Sequence, residues 1–496
     1  MKKTKQPEST SNSAADLIAA SLLRYQPYLS ASNFKKLVQE TRQPLLPAIR
    51  ANLLKVDPMQ GINAWKQLYG WETIDIPYYE YGWQIKHSAN PVSKTIEHHM
   101  GEYYIQDAAS MLPAALFSIK AQSDQLILDM AASPGGKTTQ LIDLTNDKSF
   151  IIANDANAKR LQALRIVLQK WSALNFVITG FPGEKIGDWY PETFDMILLD
   201  APCSRENLRP SYSHPMHPIS PGDRSRLSLH QLNLLISAFK ALKPGGQLVY
   251  ATCTLAPEED EAILDSLIKT FSGSVKIQDV TKIRINAPGL SSFQGKVWHP
   301  DVKNALRLWP HILGTSGFFA AKIMKTAPLN QKPEAPPTRP FKSTGLTPLR
   351  SSDHQWLCQF FKNNYGFSMS TLFDSYEVEL WRRGDIVFSI PVTYLKHFHS
   401  LPYHTLGMML GKQISNRFIP SHEFVSRFGK DFLHGRLTIP DELITGWISG
   451  RDIRNPPTTG YDNGSIVVVQ DSSGRNLGRG KILTKRIRNL LPTRTI

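Results

Sequence analysis

Six short apolar runs, each about as long as a strand, limit what the middle of this chain can fold into. They are LILDM (126–130), FIIAND (150–155), NFVITG (175–180), FDMILLD (194–200), GQLVYATC (246–253) and GFFAAKIM (317–324). Helical runs lie between them. The stretch 155–171 places Leu161, Leu164, Leu168 and Trp171 at helical spacing, and 229–242 does the same with Leu232, Leu235 and Phe239. This alternation predicts an α/β, doubly wound, Rossmann-like sheet of mostly parallel strands, with ligands beyond the carboxyl ends of the strands.

A chain of 496 residues is too long for one core, and two to four domains are expected. Prolines crowd residues 325–345, where large apolar side chains nearly vanish, so an extended linker is predicted at 326–350. It separates a catalytic domain at 101–325 from a module at 351–496. DIVFSIP (385–391) and SIVVVQD (465–471) read there as strands, and 471–483 as a hairpin with its return strand. Residues 1–100 form an N-terminal extension that opens with a polar tail and an amphipathic helix. No run of eighteen apolar residues occurs, so no membrane span is expected. Lys and Arg outnumber Asp and Glu by 57 to 42, and the formal charge of +15 favours a polyanionic partner. Three scattered cysteines with no C-x-x-C pair exclude a disulfide framework or a thiolate zinc site and predict a reducing cytoplasm.

The stretch LILDMAASPGGKTTQL (126–141) runs from a strand through small residues into a helix. It admits two readings. A phosphate loop would use Lys137 on the phosphates, Thr138 on magnesium and Asp200 to hold that ion. Asp129, at the strand end, would repel the triphosphate. A donor that carries a sulfonium and an ammonium gains from the same carboxylate, while small residues let the backbone approach it closely. Asp155 ends the second strand, where a carboxylate can accept from ribose hydroxyls, although it could equally cap the following helix. Together these features favour S-adenosylmethionine near the loop of Ala131, Ala132, Ser133, Pro134, Gly135, Gly136 and Lys137.

DAPCS (200–204) and ATCTLAPEEDE (251–261) place Cys203 and Cys253 at or just past the carboxyl ends of two strands of the same sheet. A single cysteine there is usually a small core residue; two beside one cofactor site point to chemistry. Carbon 5 of a pyrimidine is a weak nucleophile, and a thiolate adding at carbon 6 makes it electron-rich enough to attack. Pro257 followed by Glu258, Glu259, Asp260 and Glu261 predicts the first turn of a helix, whose dipole would favour a thiolate at Cys253.

These motifs, with IRANLLK (49–55), YYIQDAASMLP (103–113), LKPGGQLVYATC (242–253) and GFFAAKI (317–323), resemble the NOL1/NOP2/Sun family of RNA cytosine-5 methyltransferases over about residues 45–325. GWISGRDI (446–453) and 476–489 are similar to the C-terminal part of bacterial members acting on small-subunit ribosomal RNA. The resemblance implies Cys253 as nucleophile, Cys203 in product release, Asp200 on the target base and the donor, and the loop and Asp155 on the donor. It further implies that Arg50, Asn52 and Lys55 help to seat RNA, and that the C-terminal module is RNA-binding and PUA-like. The expected partner is 16S ribosomal RNA or the small subunit, met by a monomer. The alternatives are a transfer RNA methyltransferase, a catalytically silent assembly factor, or an ATPase acting on RNA. Two departures stand out. Arg205, Glu206 and Asn207 follow DAPCS where the family has G-x-G, and Pro182 stands where an Asp usually meets the adenine side.

Overall fold

The structure, a computed structural model, describes residues 14–119, 125–210, 216–280, 283, 285–456 and 460–492. The polar tail read at 1–13 and the last four residues of the basic terminus lie outside these.

Two helices, Ala14–Tyr25 and Ala31–Glu40, precede an antiparallel sheet of β1 (Ala48–Ala51), β2 (Glu72–Asp75), β3 (Gly82–His87) and β4 (Tyr103–Ile105), in spatial order β2-β3-β1-β4. Helix Pro58–Tyr69 connects β1 to β2. Asp57 caps it by accepting the Gln60 N–H at 2.8 Å, and Gly70 ends it at φ +63°. Its Ile62 and Trp65 pack with Ile49, Trp71, Trp83 and Tyr103 in a separate small core.

The central sheet contains β5 (Leu126–Asp129), β6 (Phe150–Asn154), β7 (Phe176–Thr179), β8 (Phe194–Asp200) and β9 (Leu242–Thr252), all mutually parallel where they pair. Past β9 the sheet turns antiparallel through β12 (Phe318–Lys325) to β10 (Val275–Ile277), and β11 (Leu306–Leu308) also pairs with β12. Its order is β10-β12-β9-β8-β5-β6-β7, so the winding reverses between β5 and β8. That reversal opens a crevice at the strands' carboxyl ends. Helix Ala158–Trp171 buries Leu161, Leu164, Leu168 and Trp171, the stripe legible in the sequence, and helix Pro221–Ala241 buries Leu235 and Phe239.

The C-terminal region carries two further sheets. One orders Thr347–Pro348, Val378–Arg383, Ile386–Pro391, Met408–Ile414 and Arg417–Pro420; the other orders Arg436–Thr438, Ile466–Gln470, Asn476–Leu483, Arg486–Asn489 and Ile453–Arg454. The hairpin read at 471–483 joins two strands of the second sheet. A 15-residue helix, Ser351–Tyr365, which the sequence reading did not single out, packs its Leu357, Phe361 and Tyr365 into the core of this region.

The proline-rich segment is held against the region of the central sheet, and it is not extended throughout, since Phe341–Thr344 forms a short helical turn. Leu329 donates its N–H to Glu192 at 2.7 Å and Glu334 donates its N–H to the Asp188 carbonyl at 2.7 Å. Beyond it, Thr405–Leu406 pairs with β7, adding a strand to the central sheet, and buried Arg427 donates to Asp147 at 2.5 Å. Among the described residues no helix is long and apolar enough to cross a membrane.

Candidate active site

β5 ends at Asp129, and residues 130–135 turn into helix Gly136–Leu144. Gly135 has φ +114°, and a Cβ there would sit 2.9 Å from Val167 Cγ1, so both backbone and packing require glycine. Thr138 donates its hydroxyl to Asp129 Oδ2 at 2.6 Å, whereas Asp129 Oδ1 is buried without a partner. Burial above all, with the nearby charge of Asp200, pushes the Asp129 carboxyl up to about 7, against the Thr138 hydrogen bond and Lys137. An unsatisfied buried acceptor below a loop whose Ala131, Pro134 and Lys137 remain accessible suits a donor bearing positive charge. Asp155 is buried just past β6. Its carboxylate accepts N–H groups of Ser133 (3.2 Å) and Asn157 (3.0 Å) and pairs with Arg160 at 3.3 Å. With about four lone-pair sites, a carboxylate so engaged still has room to accept a ribose hydroxyl.

The two sulfurs lie together. Cys203 Sγ and Cys253 Sγ are 3.0 Å apart, and both side chains are only partly buried. The hydrogen bond to Cys253, then burial, then the negative charges of Cys253 and Glu259 push the Cys203 thiol well above its ordinary range. Across the crevice, Lys137 Nζ donates to Asp200 Oδ2 at 2.7 Å. Burial works against the Lys137 charge, yet Asp200, Cys253 and Asp129 together hold its ammonium above the usual lysine range.

Buried acids join the two cysteine loops. Glu259 Oε2 accepts the Ser204 N–H at 2.8 Å and Gln231 Nε2 at 3.0 Å, and its other oxygen accepts from Arg224 at 3.1 Å. The Glu259 carbonyl accepts the Tyr250 hydroxyl at 2.6 Å, three residues before Cys253. Thr252 donates to Asp260 at 2.6 Å, and buried Arg307 pairs with both Asp260 and Glu261. The helix begins at Glu261, with 257–260 forming a turn. This corrects the expected start at Pro257: the acids are drawn inward by Arg224, Arg307 and Thr252 instead of lining a first turn.

The structure gathers Asp200, Cys203, Cys253, Lys137 and the 131–137 loop at the carboxyl ends of β5, β8 and β9. Arg50, Asn52 and Lys55 are placed differently from the expectation that they seat RNA. All three are buried. Arg50 donates to Gln106 (3.1 Å), the Gly136 carbonyl (3.1 Å) and Thr139 (2.5 Å), pairs with Asp143, and stacks 4.6 Å over Trp171. Asn52 donates to the Gly101 and Trp171 carbonyls at 2.9 and 3.2 Å; Lys55 donates to those of Met100 and Lys170 at 2.8 and 2.7 Å. Arg50 fastens the N-terminal extension to the helix that follows the 131–137 loop, and Asn52 and Lys55 fasten it to the end of helix Ala158–Trp171. The phosphate-loop reading also loses its magnesium ligand, because Thr138 is fully buried and directed at Asp129. Pro182 precedes helix Gly183–Trp189 and supplies no side-chain acceptor. Arg24, Arg224, Gln231 and Glu259 were missed; only the run of four acids at 258–261 could have flagged a paired network.

Two family models match: "16S rRNA methyltransferase RsmB/F" over residues 116–324, and "N-terminal domain of 16S rRNA methyltransferase RsmF" over residues 19–108. The chain is 30% identical over 474 residues to the ribosomal RNA small subunit methyltransferase F of Aeromonas salmonicida, covering 94% of this chain and 93% of the relative. It is 32% identical over 464 residues to that of Psychromonas ingrahamii, covering 92% of each. A solved methyltransferase homolog from Pyrococcus horikoshii superposes with a TM-score of 0.54 at 30% identity, over 62% of this chain and 95% of the other. NSun6 of the same organism, with a TM-score of 0.51 at 21% identity over 62% of this chain and 97% of that one, shares the fold. By sequence along nearly its whole length, the chain belongs to the 16S rRNA methyltransferase RsmB/F family, a family of S-adenosylmethionine-dependent RNA methyltransferases.

Proposed function

We propose that this chain methylates carbon 5 of a cytosine in 16S ribosomal RNA, acting as a cytoplasmic monomer through a bond between Cys253 and the base. The observation that carries this reading is the pair of sulfurs 3.0 Å apart with one thiol held protonated. The Cys253 thiolate adds to carbon 6, and the ring electrons move toward carbon 5. Asp200 hydrogen-bonds the base near its ring nitrogen. Residues 131–137 and Asp155 would hold S-adenosylmethionine, whose methyl–sulfur bond would break as carbon 5 takes the methyl, leaving S-adenosylhomocysteine.

Release then needs a base for the carbon 5 proton. While Cys253 is free, its hydrogen bond is the largest cause keeping Cys203 protonated. Once Cys253 sulfur is bonded to carbon 6, that hydrogen bond and its charge are gone, and Cys203 can ionise. Cys203 takes the proton from carbon 5, the carbon 6–sulfur bond breaks, and Cys253 leaves as thiolate.

The C-terminal sheet supports RNA as substrate. Lys481 lies opposite Arg488 and Arg486 opposite Arg454 across neighbouring strands, with Lys485 at the turn. Arg454, Lys485, Arg486 and Arg488 are exposed. Lys481 and Arg488, like charges facing one another across the sheet, are unfavourable until a polyanion neutralises them, whereas Arg486 already pairs with Asp452 at 3.2 Å.

The test uses Cys253→Ala and Cys203→Ala. The first should lose methyl transfer and keep donor binding; the second should accumulate a covalent protein–RNA adduct, seen as a slow band on a denaturing gel. Absence of any adduct would overturn the division of labour, and an unchanged bisulfite map of 16S RNA in a deletion strain would overturn the substrate.

A further inference from the structure

Between Cys203 and Leu208 the backbone takes an uncommon path. Arg205 has φ +61° and Leu208 φ +63°, both in the left-handed region that side chains other than glycine and asparagine rarely adopt. The segment is fastened on every side. Asn207 donates its N–H to the Arg205 carbonyl at 2.9 Å, Leu255 to the Glu206 carbonyl at 2.9 Å, and Gly317 to the Asn207 carbonyl at 2.8 Å. Buried Glu206 accepts from Arg24 at 3.0 Å, from Tyr25 at 2.5 Å and from Arg224 at 2.6 Å. Burial opposes its charge, but Arg24 and Arg224 outweigh that and keep the carboxylate below its usual range.

The surrounding arginines are therefore committed. Arg24 spans Glu206 and Glu258, Arg224 spans Glu206 and Glu259, and buried Arg209 pairs with Glu40 at 2.8 Å. Arg205 differs: its side chain is exposed, and its guanidinium has no carboxylate or carbonyl partner among the described residues. It stands two residues from Cys203, so their Cα atoms are at most about 7 Å apart. A rigid, strained turn thus holds an exposed, unpaired guanidinium on the residue two positions from Cys203. Strain held by so many hydrogen bonds is characteristic of functional sites.

We propose that Arg205 is a positioning residue that grips the phosphodiester next to the target base. The inference rests on the reading above that the thiols act on an RNA base. An anion is the partner because the guanidinium offers a fork of donors suited to phosphate oxygens, and no carboxylate among the described residues occupies it. A base extruded onto Cys253 brings its own sugar and phosphates up to the cysteine loops, and Arg205 is the exposed cation two residues beyond Cys203.

The experiment compares wild type, Arg205→Ala and Arg205→Lys in methyl transfer to unmodified 16S RNA and in RNA binding over a salt series. For Arg205→Ala, KM for RNA should rise about tenfold, with less change in kcat. The slope of log Kobs against log salt should become shallower by about 0.7, one phosphate contact on a single strand. Arg205→Lys should restore the slope and part of KM, and donor affinity should match wild type in both. The proposal is overturned if wild type methylates the RNA while Arg205→Ala keeps its KM and slope. It is also overturned if alanine and lysine lower activity equally together with the melting temperature, the mark of a purely structural residue. Wild type that methylates no cytosine would instead refute the underlying function.

Discussion

Replacing Arg50 with methionine separates a structural role for the N-terminal segment from an RNA-binding one. Arg50 is 0% exposed and pairs with Asp143, while donating to Gln106, Gly136 and Thr139. Its loss leaves a buried carboxylate and several acceptors short of a donor. Removing one partner of such a pair destabilises by about 3–5 kcal/mol. Asp143 also sets a pH dependence. Burial pushes its carboxyl up to about 7, against Arg50, the Trp171 indole N–H and a backbone N–H of Leu53. A folded-state value above the unfolded 3.8 means that the folded chain binds the proton more tightly. Stability from this group therefore falls as pH rises from about 4 to 7 and levels off above. Without Arg50 the carboxyl titrates higher still, and the window of loss extends upward. The deficit of Arg50→Met should thus be larger at pH 8 than at pH 6, by at most about 1.4 kcal/mol, because pH 8 lies one unit above the wild-type value. Urea unfolding at the two pH values measures it, and adding Asp143→Asn should recover part of the loss. Arg50→Met with wild-type stability at both pH values but weaker, less salt-sensitive RNA binding would refute this assignment and return Arg50 to the RNA.

Asp129→Asn should have the opposite sign in stability. The Asp129 carboxyl, pushed up to about 7 by burial, opposes folding increasingly as pH rises from about 4 to 7. The amide variant should melt higher than wild type at pH 8, by on the order of 1–4 kcal/mol, with the gap closing toward pH 4 and donor affinity reduced. Thermal melts with and without S-adenosylmethionine give both readouts, and a variant less stable than wild type at pH 8 would contradict the account. The two thiols should also differ in reactivity. Iodoacetamide at pH 7.5 should label Cys253 well before Cys203, and Cys203 should become faster in Cys253→Ala, where the chief cause of its raised pKa is gone. Peptide mass spectrometry reads each site, and equal rates in the wild type would rule out the asymmetry.

The central sheet was legible because its information is local. Strands such as MILLD and helices such as 158–171 carry their periodicity within a few residues, and their order imposes the doubly wound topology. Gly135, Asp200 and the two cysteines were legible for a related reason, since strand ends in this architecture converge. The placement of Arg50, Asn52 and Lys55 was not. A charged residue in an unpaired sequence segment reads as exposed, and nothing local reveals that Asp143, 93 positions away, awaits Arg50 in the core. The strand Thr405–Leu406 on the edge of β7 was hidden in the same way, because its pairing crosses the linker by more than 200 residues.

The acids at 258–261 show how these levels connect. In the sequence they suggest a helix start whose dipole activates Cys253. In the structure Glu259 and Asp260 hold the backbone on either side of the thiols through Ser204, Tyr250 and Thr252, while Arg224 and Arg307 neutralise them. A helix that starts at Glu261, behind these groups, presents little positive potential to Cys253. Lys137 is the cation whose own charge is stabilised by both Asp200 and Cys253 among the described residues. Lys137 closes the 131–137 loop, and Arg50 secures the helix that follows it through Gly136 and Thr139. Under the proposed chemistry the N-terminal extension therefore bears on the site through Arg50, whose loosening would move Lys137 and its partner Asp200.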